Sequence, residues 1–459
     1  MNEADKRSKQ PHVRAASIHG TWNGTIQFGE VPIPIVLRCH HSDSQLTATS
    51  DFPQQQRIGI VVRELSFEQG TLRFTTRSFG DYAGELSSDG SSIVGAFSQE
   101  EKRHPLTLLA GEIEQAKPAR PQTPQPPFGY AIEHVQIDNL AAGCTLAGTL
   151  TIPTDHMPRA VALLITGSGA MDRDETVFGH KPFWILADHL SRHGYAVLRL
   201  DNRGVGESSG DRSTITLADE ADDMATAVEY LKHRRDLQCA PIGLIGHSMG
   251  ALTGMTLAAQ RTDIAFLVSM AGPAFTLGEV FAQRECEGLE KSGKDADAIT
   301  AHRQFTRALY ARLRDLPAAE LIDAAQVATL AARFGATQTA FAKDSEEWIT
   351  RFNQAWFRSA VCAEPATHLD QITAPFLAIN GSVDVQVPAI PNLAAMNTRL
   401  SDAGHSDFDT RELAGLNHLF QTCTTGAVYL YPVIEETFAP SELEIIRAWL
   451  DARFPARSP

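Results

Sequence analysis

The stretch PIGLIGHSMGALTGMTLAAQ, residues 241–260, decides the fold. It opens with the apolar run PIGLI, which is typical of a strand buried on both faces of a parallel sheet. It closes with a segment rich in Ala and Leu, which predicts a helix. Between them, Gly246, Ser248 and Gly250 follow the pattern G-x-S-x-G. In that pattern the glycines let a strand and a helix approach closely, and the serine stands exposed on a strained turn.

Ser248 has two interpretations, a nucleophile on such a turn or an ordinary serine between two glycines. The pentapeptide alone says little, since a chain of this length yields about 0.1 chance matches. The apolar run before it and the helical segment after it are the setting that the pattern requires. The context therefore favours a nucleophilic Ser248.

Strand-like and helical segments alternate through most of the chain after residue 130. The further apolar, strand-like runs are 159–169, 196–204, 264–272 and 375–381. The helical segments are 183–194, 216–235 and 441–454. The last two open with the spacing of a capping box, at Thr216/Asp219 and Ser441/Glu444. This alternation predicts an α/β core with a doubly wound, mostly parallel sheet over residues 131–274 and 368–459.

One long segment interrupts the alternation. Residues 275–367 are helical and charged in character, with almost no strand signal. A helical insertion between two core strands predicts a cap over the ends of the strands.

The region before the core has a different character. Residues 116–130, AKPARPQTPQPPFGY, hold Pro118, Pro121, Pro124, Pro126 and Pro127, which predicts an extended linker. Residues 1–115 contain short β-type runs such as 20–26, 33–39 and 71–76, separated by turn signals. They predict a small antiparallel all-β domain, as a meander, a half-barrel or a small barrel. It could hold a ligand or pack against the next domain.

The composition narrows the classes of function. Hydrophobic residues make up 43% and charged residues 21%, as in globular proteins. The net charge of −15 argues against nucleic acid as the main partner, because phosphate binding needs a basic surface. The six cysteines form no CxxC pair, so we expect neither a disulfide framework nor a cysteine zinc site. No signal peptide and no membrane span are visible, so a cytoplasmic location is expected unless an export signal was trimmed.

A serine needs a base to take its proton, and the base needs an acid partner. On a strand–turn–helix scaffold the expected order is Ser, acid, His. Asp384 follows the apolar run PFLAING, and His418 lies in a loop after the last strand-like run. The sequence therefore predicts Ser248 as nucleophile, His418 as general base and then general acid, and Asp384 as the group that orients His418.

Other His and Asp residues are weaker candidates. His247 is carried on the turn itself and is expected to shape it, and His180 and His405 lack a position after a strand. Asp201 follows an earlier strand and is interpreted as support for the loops. The remaining acidic rivals lie in or next to the strand before His418, and they are Asp402, Asp407 and Asp409.

An oxyanion needs two N–H donors that are already in place. One is expected from Met249, directly after the nucleophile, and the other from the loop TGSG that ends the run 159–169. Ser168 is the predicted donor there and Gly169 the alternative, with Gly167 and Gly169 allowing the turn and predicted as possible pocket residues. A phosphate loop is the competing interpretation of GSG, but no GK[ST] follows it.

Seven ordered stretches after residue 130 resemble the α/β-hydrolases. They are TGSGAMDRDE, FGHKPFWILADHL, AVLRLDNRGVGESSG, GLIGHSMG, AWFR, NGSVDVQVP and LNHLFQ. The chain is similar to EstD-type bacterial carboxylesterases, which are grouped with serine aminopeptidase-like hydrolases. The run from GTWNGTI to FSQEEKRHPLTLL resembles the β domain that precedes the catalytic domain in that family. The resemblance implies the same triad, Ser248, Asp384 and His418.

The chain departs from the family pattern at two places. Ala170-Met171 stands where the family often has Pro-Gln, and SAVCAEP follows AWFR in place of an aromatic-Asp-Pro ending. Both departures could alter the preference for the acyl or alcohol part of a substrate.

The residues favour a serine hydrolase that cleaves carboxylic esters, with short to medium acyl chains, through an acyl-enzyme. A peptidase or amidase with the same triad is the alternative, and a non-catalytic binding protein is a third. The expected partner is a small-molecule ester, and no metal or organic cofactor is needed. Trp356, Phe357 and Arg358 are expected near the mouth of the site, with plain packing as the alternative. Arg173, Asp174 and Glu175 are expected to brace the oxyanion loop.

Overall fold

The computed structural model describes residues 18–28, 31–42, 45–53, 57–76, 80–99, 102–112, 119–291, 293–317, 320–336 and 345–456. The chain divides into two compact units, Met1–Pro118 and Ala119–Pro459. Parts of the predicted β domain, linker and cap lie outside the described residues, namely 1–17, 29–30, 43–44, 54–56, 77–79, 100–101, 113–118, 292, 318–319 and 337–344.

The first unit is a single antiparallel sheet of nine described strands. They are β1 (Gly20–Phe28), β2 (Val31–Ser42), β3 (Gln45–Phe52), β4 (Arg57–Val61), β5 (Arg63–Glu68), β6 (Thr71–Thr76), β7 (Gly80–Leu86), β8 (Ser92–Gln99) and β9 (Lys102–Ala110). The strand order is β4-β3-β2-β1-β9-β8-β7-β6-β5. The two outermost strands, β4 and β5, are separated in the chain only by Val62, so the sheet curls toward closure. The predicted small antiparallel β domain is confirmed, in a nearly barrel-like form.

Alternation along the strands explains where the core of this unit lies. In β6, Leu72 and Phe74 are buried while Arg73 between them is exposed. Side chains on a strand alternate between the two faces, so one face of the sheet collects the apolar residues. Phe74, Tyr82 and Phe97 meet there with ring centroids 4.9 to 5.6 Å apart.

The second unit is built on a mixed sheet of eight strands. They are β10 (Tyr130–Asn139), β11 (Cys144–Pro153), β12 (Val161–Ile165), β13 (Ala196–Leu200), β14 (Ile242–His247), β15 (Leu267–Met270), β16 (Phe376–Gly381) and β17 (Phe408–Leu413). The strand order is β10-β11-β13-β12-β14-β15-β16-β17. The six strands from β13 to β17 in this order are parallel to one another, and β10 and β11 are antiparallel to their neighbours.

Helices cover both faces of this sheet. They are α1 (Pro182–Arg192), α2 (Leu217–His233), α3 (Met249–Gln260), the cap helices described below, α10 (Ala389–Asp402) and α11 (Pro440–Arg453). Successive strand residues pack into different cores: Leu244 joins the core under α2, α3 and α10, and Ile245 joins the core under α1 and α11. This arrangement confirms the predicted doubly wound, mostly parallel α/β fold.

The predicted capping boxes of α2 and α11 have different outcomes. In α2, Thr216 and Asp219 cap each other's backbone, as predicted. In α11 the predicted Ser441/Glu444 box is wrong, because the helix already begins at Pro440 and Ala439 is its cap residue. Proline suits the first helical position, where no N–H donor is needed.

Six of the described helices lie between β15 and β16. They are α4 (Leu277–Lys291), α5 (Ala296–Asp315), α6 (Ala324–Arg333), α7 (Ser345–Phe352), α8 (Ala355–Val361) and α9 (Pro365–Leu369). Their aromatic core contains Phe305, Tyr310, Phe352 and Phe357. Leu369, in contrast, belongs to the core of the sheet. The chain enters these helices from the carboxyl end of β15, which is the edge of the sheet where β14 ends, just before Ser248.

Residues 119–130, the described part of the predicted linker, are tied to the second unit. The guanidinium group of Arg120 donates to the backbone oxygens of Phe178, Pro432 and Ile434 at 2.8 to 3.0 Å. Gln122 bonds the backbone of Phe438. The side chains of Arg120 and Gln122 therefore hold this segment in place, although its prolines lack backbone N–H donors. Among the described helices, none has the length and apolar character that crossing a membrane requires.

Candidate active site

Ser248 lies on the turn between β14 and α3, in a backbone conformation that few residues adopt. Its φ is 54° and its ψ is −121°. A Cβ at Gly246 would overlap the backbone oxygen of Gly250, and a Cβ at Gly250 would overlap that of Ile165. The pattern G-x-S-x-G is thus explained by close packing of strand, turn and helix. The turn presents the Ser248 hydroxyl at the carboxyl edge of the sheet.

The structure brings the three predicted residues together. His418 Nε2 lies 3.1 Å from Ser248 Oγ, and His418 Nδ1 lies 2.7 Å from Asp384 Oδ2. Asp384 follows the end of β16, and His418 follows the end of β17. Both side chains are almost fully buried, at 6% and 5% exposure. The sequence order 248, 384 and 418 thus corresponds to three neighbouring loops at one edge of the sheet.

Asp384 is itself held in position. Its Oδ1 atom accepts hydrogen bonds from the backbone N–H groups of Gln386, at 2.7 Å, and Val387, at 3.0 Å. Its Oδ2 atom is left for His418 Nδ1, which donates to it. The Nε2 lone pair of His418 then points at Ser248 and can accept the hydroxyl proton.

The loop after β12 carries the predicted oxyanion donor. Ser168 lines the same pocket as Ser248, Met249 and His418. Gly167 and Gly169, predicted as possible pocket residues, are not among the described residues that line it. The Gly167 N–H donates to Glu175 Oε1 at 2.6 Å, and the Gly169 backbone oxygen accepts from Arg212. The Gly167 N–H and the Gly169 backbone oxygen are thus already bonded to protein groups.

A buried ion pair lies directly behind the turn. Glu175 Oε1 also lies 2.9 Å from His247 Nδ1, and both side chains are at least 93% buried. His247 Nε2 lies 2.9 Å from the backbone oxygen of His418. Burial acts to lower the pKa of His247, but the charge and hydrogen bond of Glu175 and the bond to His418 outweigh it and raise the pKa above 6.5. His247 therefore donates from both nitrogens, which matches its expected role of shaping the turn.

The pocket in front of Ser248 has a volume of about 580 Å³, counted to its open mouth. Besides the residues already placed, its lining consists of Pro273, Leu277, Val280, Phe281, Arg284, Arg351, Trp356, Phe357, Gln386 and Val387. Trp356 and Phe357 thus lie at the position expected from the sequence. Arg358 does not line the pocket, because its guanidinium group donates to the backbone oxygens of Leu316, Pro317 and Glu320.

The weaker candidates have partners elsewhere. His180 is bonded to Thr437 and to the Tyr431 backbone, and burial lowers its pKa to about 4. His405 bonds the Ala374 backbone, at the opposite end of β16 from Asp384. Asp201 pairs with Arg173, in the loop-bracing role expected for both.

Asp407 and Asp409 pair with Arg453 and Arg411, and Asp402 is exposed at the end of α10. Within the described part of the chain, no three His, Cys, Asp or Glu side chains are grouped as a metal site.

Sequence reasoning did not single out Arg284, Arg351 or Gln386 as pocket residues. The two arginines belong to α4 and α7, and the chain holds many other arginines on exposed helix faces. Gln386 lies two residues after Asp384, so its position next to the predicted acid was the one available signal.

Comparisons with known proteins identify the family of the chain. Residues 183–420, just over half of the chain, match the family described as serine aminopeptidase, S33. The esterase EstD of Thermotoga maritima is 37% identical over 136 residues, which are 29% of this chain and 32% of that esterase. An uncharacterized 31.7 kDa protein of Escherichia coli is 28% identical over 107 residues, 23% of this chain and 37% of that protein.

These matches span about a third of the length of the two relatives. Among solved structures, an esterase of Pyrococcus furiosus aligns with a TM-score of 0.44 and 18% identity, over 72% of this chain and 93% of that one.

Proposed function

The chain belongs to the serine aminopeptidase S33 family of α/β-hydrolases, and on this premise we propose that it hydrolyses carboxylic esters through an acyl-enzyme on Ser248. The observation that carries the proposal is the continuous hydrogen-bonded series from Ser248 through His418 to Asp384 at the floor of a pocket. The apolar and aromatic lining suits the hydrocarbon part of an ester with a short to medium acyl chain.

In the first half of the proposed reaction, Ser248 Oγ adds to the ester carbonyl carbon while its proton passes to His418 Nε2. The tetrahedral intermediate collapses, the bond to the alcohol oxygen breaks, and that oxygen takes the proton from His418. In the second half, water adds to the acyl-enzyme and gives a proton to His418. The bond to Ser248 Oγ then breaks, the serine regains its proton, and a carboxylic acid leaves.

The negative charge of each tetrahedral intermediate needs donors already aimed at it. We assign these donors to the backbone N–H groups of Ser168 and Met249. Both residues line the pocket beside Ser248. Gly167 is unsuited to this role, because its N–H is already bonded to Glu175.

An ester is favoured over the amide of an aminopeptidase by the charge of the pocket. An aminopeptidase must hold the cationic amino terminus of its substrate, and a carboxylate usually does so. Among the described residues that line the pocket there is no Asp or Glu, whereas two arginines are present. The 37% identity to the esterase EstD over 136 residues points in the same direction.

The test compares Ser248→Ala with the matched control Ser401→Ala, which changes an exposed serine on α10. Wild type and control should hydrolyse p-nitrophenyl acetate and butyrate and should react with a fluorophosphonate probe, while Ser248→Ala does neither. Aminoacyl p-nitroanilides should be cleaved far more slowly than the esters. Ester turnover that persists in Ser248→Ala would overturn the proposal, and faster anilide cleavage would replace it with the peptidase alternative.

A further inference from the structure

Two positively charged side chains face the pocket without an ion-pair partner. Arg284 on α4 and Arg351 on α7 both line it, together with Ser248. The structure shows no carboxylate within 4.0 Å of either guanidinium group among the residues it describes. Several other arginines of the cap are paired, for example Arg307 with Glu279 at 2.8 Å. Arg284 is half-buried and Arg351 is exposed, so a ligand that enters the pocket can reach both guanidinium groups.

Aromatic rings hold both guanidinium groups in place. The Arg284 guanidinium carbon lies 4.6 Å from the ring centre of Phe281. That of Arg351 lies 5.2 Å from the ring centre of Phe357 and 5.5 Å from that of Trp348. Contact with a ring face orients a guanidinium group but uses none of its N–H donors. The donors therefore remain available to a ligand that enters the pocket.

The two charges also act on each other. Partial desolvation and the nearby positive charge of Arg284 lower the pKa of Arg351, while Tyr310 and the carboxylate of Glu347 act in the opposite direction. Arginine nevertheless stays protonated at neutral pH, so two like charges persist at the same wall. An anion bound between them would relieve this repulsion and would form charge-assisted hydrogen bonds with both.

We propose that the natural substrates are esters that carry a carboxylate group, which Arg284 and Arg351 bind while the ester carbonyl lies at Ser248. This inference rests on the proposed ester hydrolysis and names its substrate class. The apolar residues Leu277, Val280 and Phe281 line the pocket together with the two arginines and suit a hydrocarbon spacer between carboxylate and ester. A cationic substrate is disfavoured at the same wall by direct repulsion.

The carboxylate could be carried by the acyl part or by the alcohol part of the ester, and two substrate pairs separate these cases. Monoethyl adipate is compared with ethyl hexanoate, which has the same number of acyl carbons and no charge. The second pair is 4-acetoxybenzoate and phenyl acetate, in which the charge lies on the leaving group. We expect the wild type to prefer the anionic member of one pair by at least tenfold in kcat/KM, and to lose this preference at high salt.

The variants Arg284→Gln and Arg351→Gln, and their combination, test the residues. In the double variant the preference should fall to within twofold, because kcat/KM falls much further for the anionic esters than for their neutral partners. The matched control Arg333→Gln removes the same charge from an exposed position on α6 outside the pocket and should retain the preference. Thermal unfolding curves of all variants show whether the cap remains folded.

The outcomes separate this inference from the proposed function. The inference is overturned if neutral esters are hydrolysed through Ser248 but neither pair shows an anionic preference. It is also overturned if the arginine variants lower kcat/KM equally for both members of a pair. In both cases the proposed ester hydrolysis stands. If the wild type hydrolyses no ester, the proposed function fails. Adipate titrated into Ser248→Ala by calorimetry then decides the inference alone: binding weakened at least tenfold by the double arginine substitution supports it, and no binding overturns it.

Discussion

The ring nitrogen Nε2 of His247 donates a hydrogen bond to the backbone oxygen of His418, 2.9 Å away. The residue beside the nucleophile thus holds the loop that carries the base. Glu175 extends the connection, since one oxygen binds both His247 and the N–H of Gly167. A single buried ion pair therefore joins the turn at Ser248, the loop of His418 and the loop of Ser168.

Replacing Glu175 with Gln should impair the chemistry more than substrate binding. The variant keeps the shape of the side chain but removes the charge that keeps His247 doubly protonated, so one of the two bonds of His247 is lost. We expect kcat on p-nitrophenyl butyrate to fall about tenfold, the equivalent of one hydrogen bond of about 1.4 kcal/mol, with KM changed less than twofold. Glu412→Gln, at an exposed position on β17, is the control and should leave both constants unchanged. A rise in KM alone would contradict the positioning role.

The contribution of His247 to stability should decline as the pH rises. Its pKa in the folded protein is raised above 6.5, so folding favours the protonated form. The contribution is then complete below about pH 6.5 and is lost as the pH rises through the folded-state pKa. We expect the difference in free energy of unfolding between wild type and His247→Gln, measured in urea, to be larger at pH 6 than at pH 10. A difference that grows with pH would show that the pair is not ionised as described.

Asp384→Asn should abolish most activity while preserving the local structure. Because Asp384 Oδ1 accepts two backbone N–H groups, the amide oxygen of Asn takes that position and its NH₂ group faces His418 Nδ1. His418 must then carry its proton on Nε2, where it cannot accept the proton of Ser248. We expect kcat to fall by about 10³- to 10⁴-fold. Asp402→Asn, at an exposed end of α10, should have no effect on the same p-nitrophenyl ester assay.

Local pattern and strand order were enough to predict Ser248, Asp384 and His418. Each lies at the carboxyl end of a strand, and the ends of parallel strands meet at one edge of the sheet. Arg284 and Arg351 could not be predicted in this way, because a helical pattern does not say which of several arginines faces a pocket built from other helices.

The sequence also could not show that Gly167 does not line the pocket, because this too depends on tertiary contacts. Its N–H is taken by Glu175, a residue eight positions later whose φ of 53° turns it back toward the loop. That backbone conformation is imposed by tertiary contacts and leaves no trace in residue spacing. The alternation of apolar and polar residues was enough to predict an all-β unit. The near closure of its sheet could not be predicted, because it depends on how the edge strands β4 and β5 approach each other.

Glu442 should destabilise the protein at neutral and alkaline pH. Both its carboxylate oxygens are buried without a hydrogen bond in the described part of the chain, and burial raises its pKa well above 4.5. Below about pH 4.5 Glu442 is protonated in the folded and unfolded states, and stability is then lost as the pH rises through its folded-state pKa. Glu442→Gln should therefore raise the free energy of unfolding at pH 8, and by less at pH 5. Glu444→Gln, which removes an exposed ion pair with Arg447, should give no such gain.

Phe357 should limit the length of the acyl chain that reaches Ser248. It is buried in the aromatic core of the cap and also lines the pocket, whereas Phe352, 5.6 Å away between ring centres, lies in the same core but is not among the described lining residues. Phe357→Leu and Phe352→Leu should therefore cost similar stability, each less than the about 3–5 kcal/mol of truncation to Ala. Only Phe357→Leu should raise kcat/KM for p-nitrophenyl octanoate relative to the butyrate, by about fivefold, since a larger pocket accepts more methylene groups. The two substitutions are compared by thermal unfolding and by a series of p-nitrophenyl esters of increasing length. Equal chain-length profiles for both variants would assign Phe357 to packing alone.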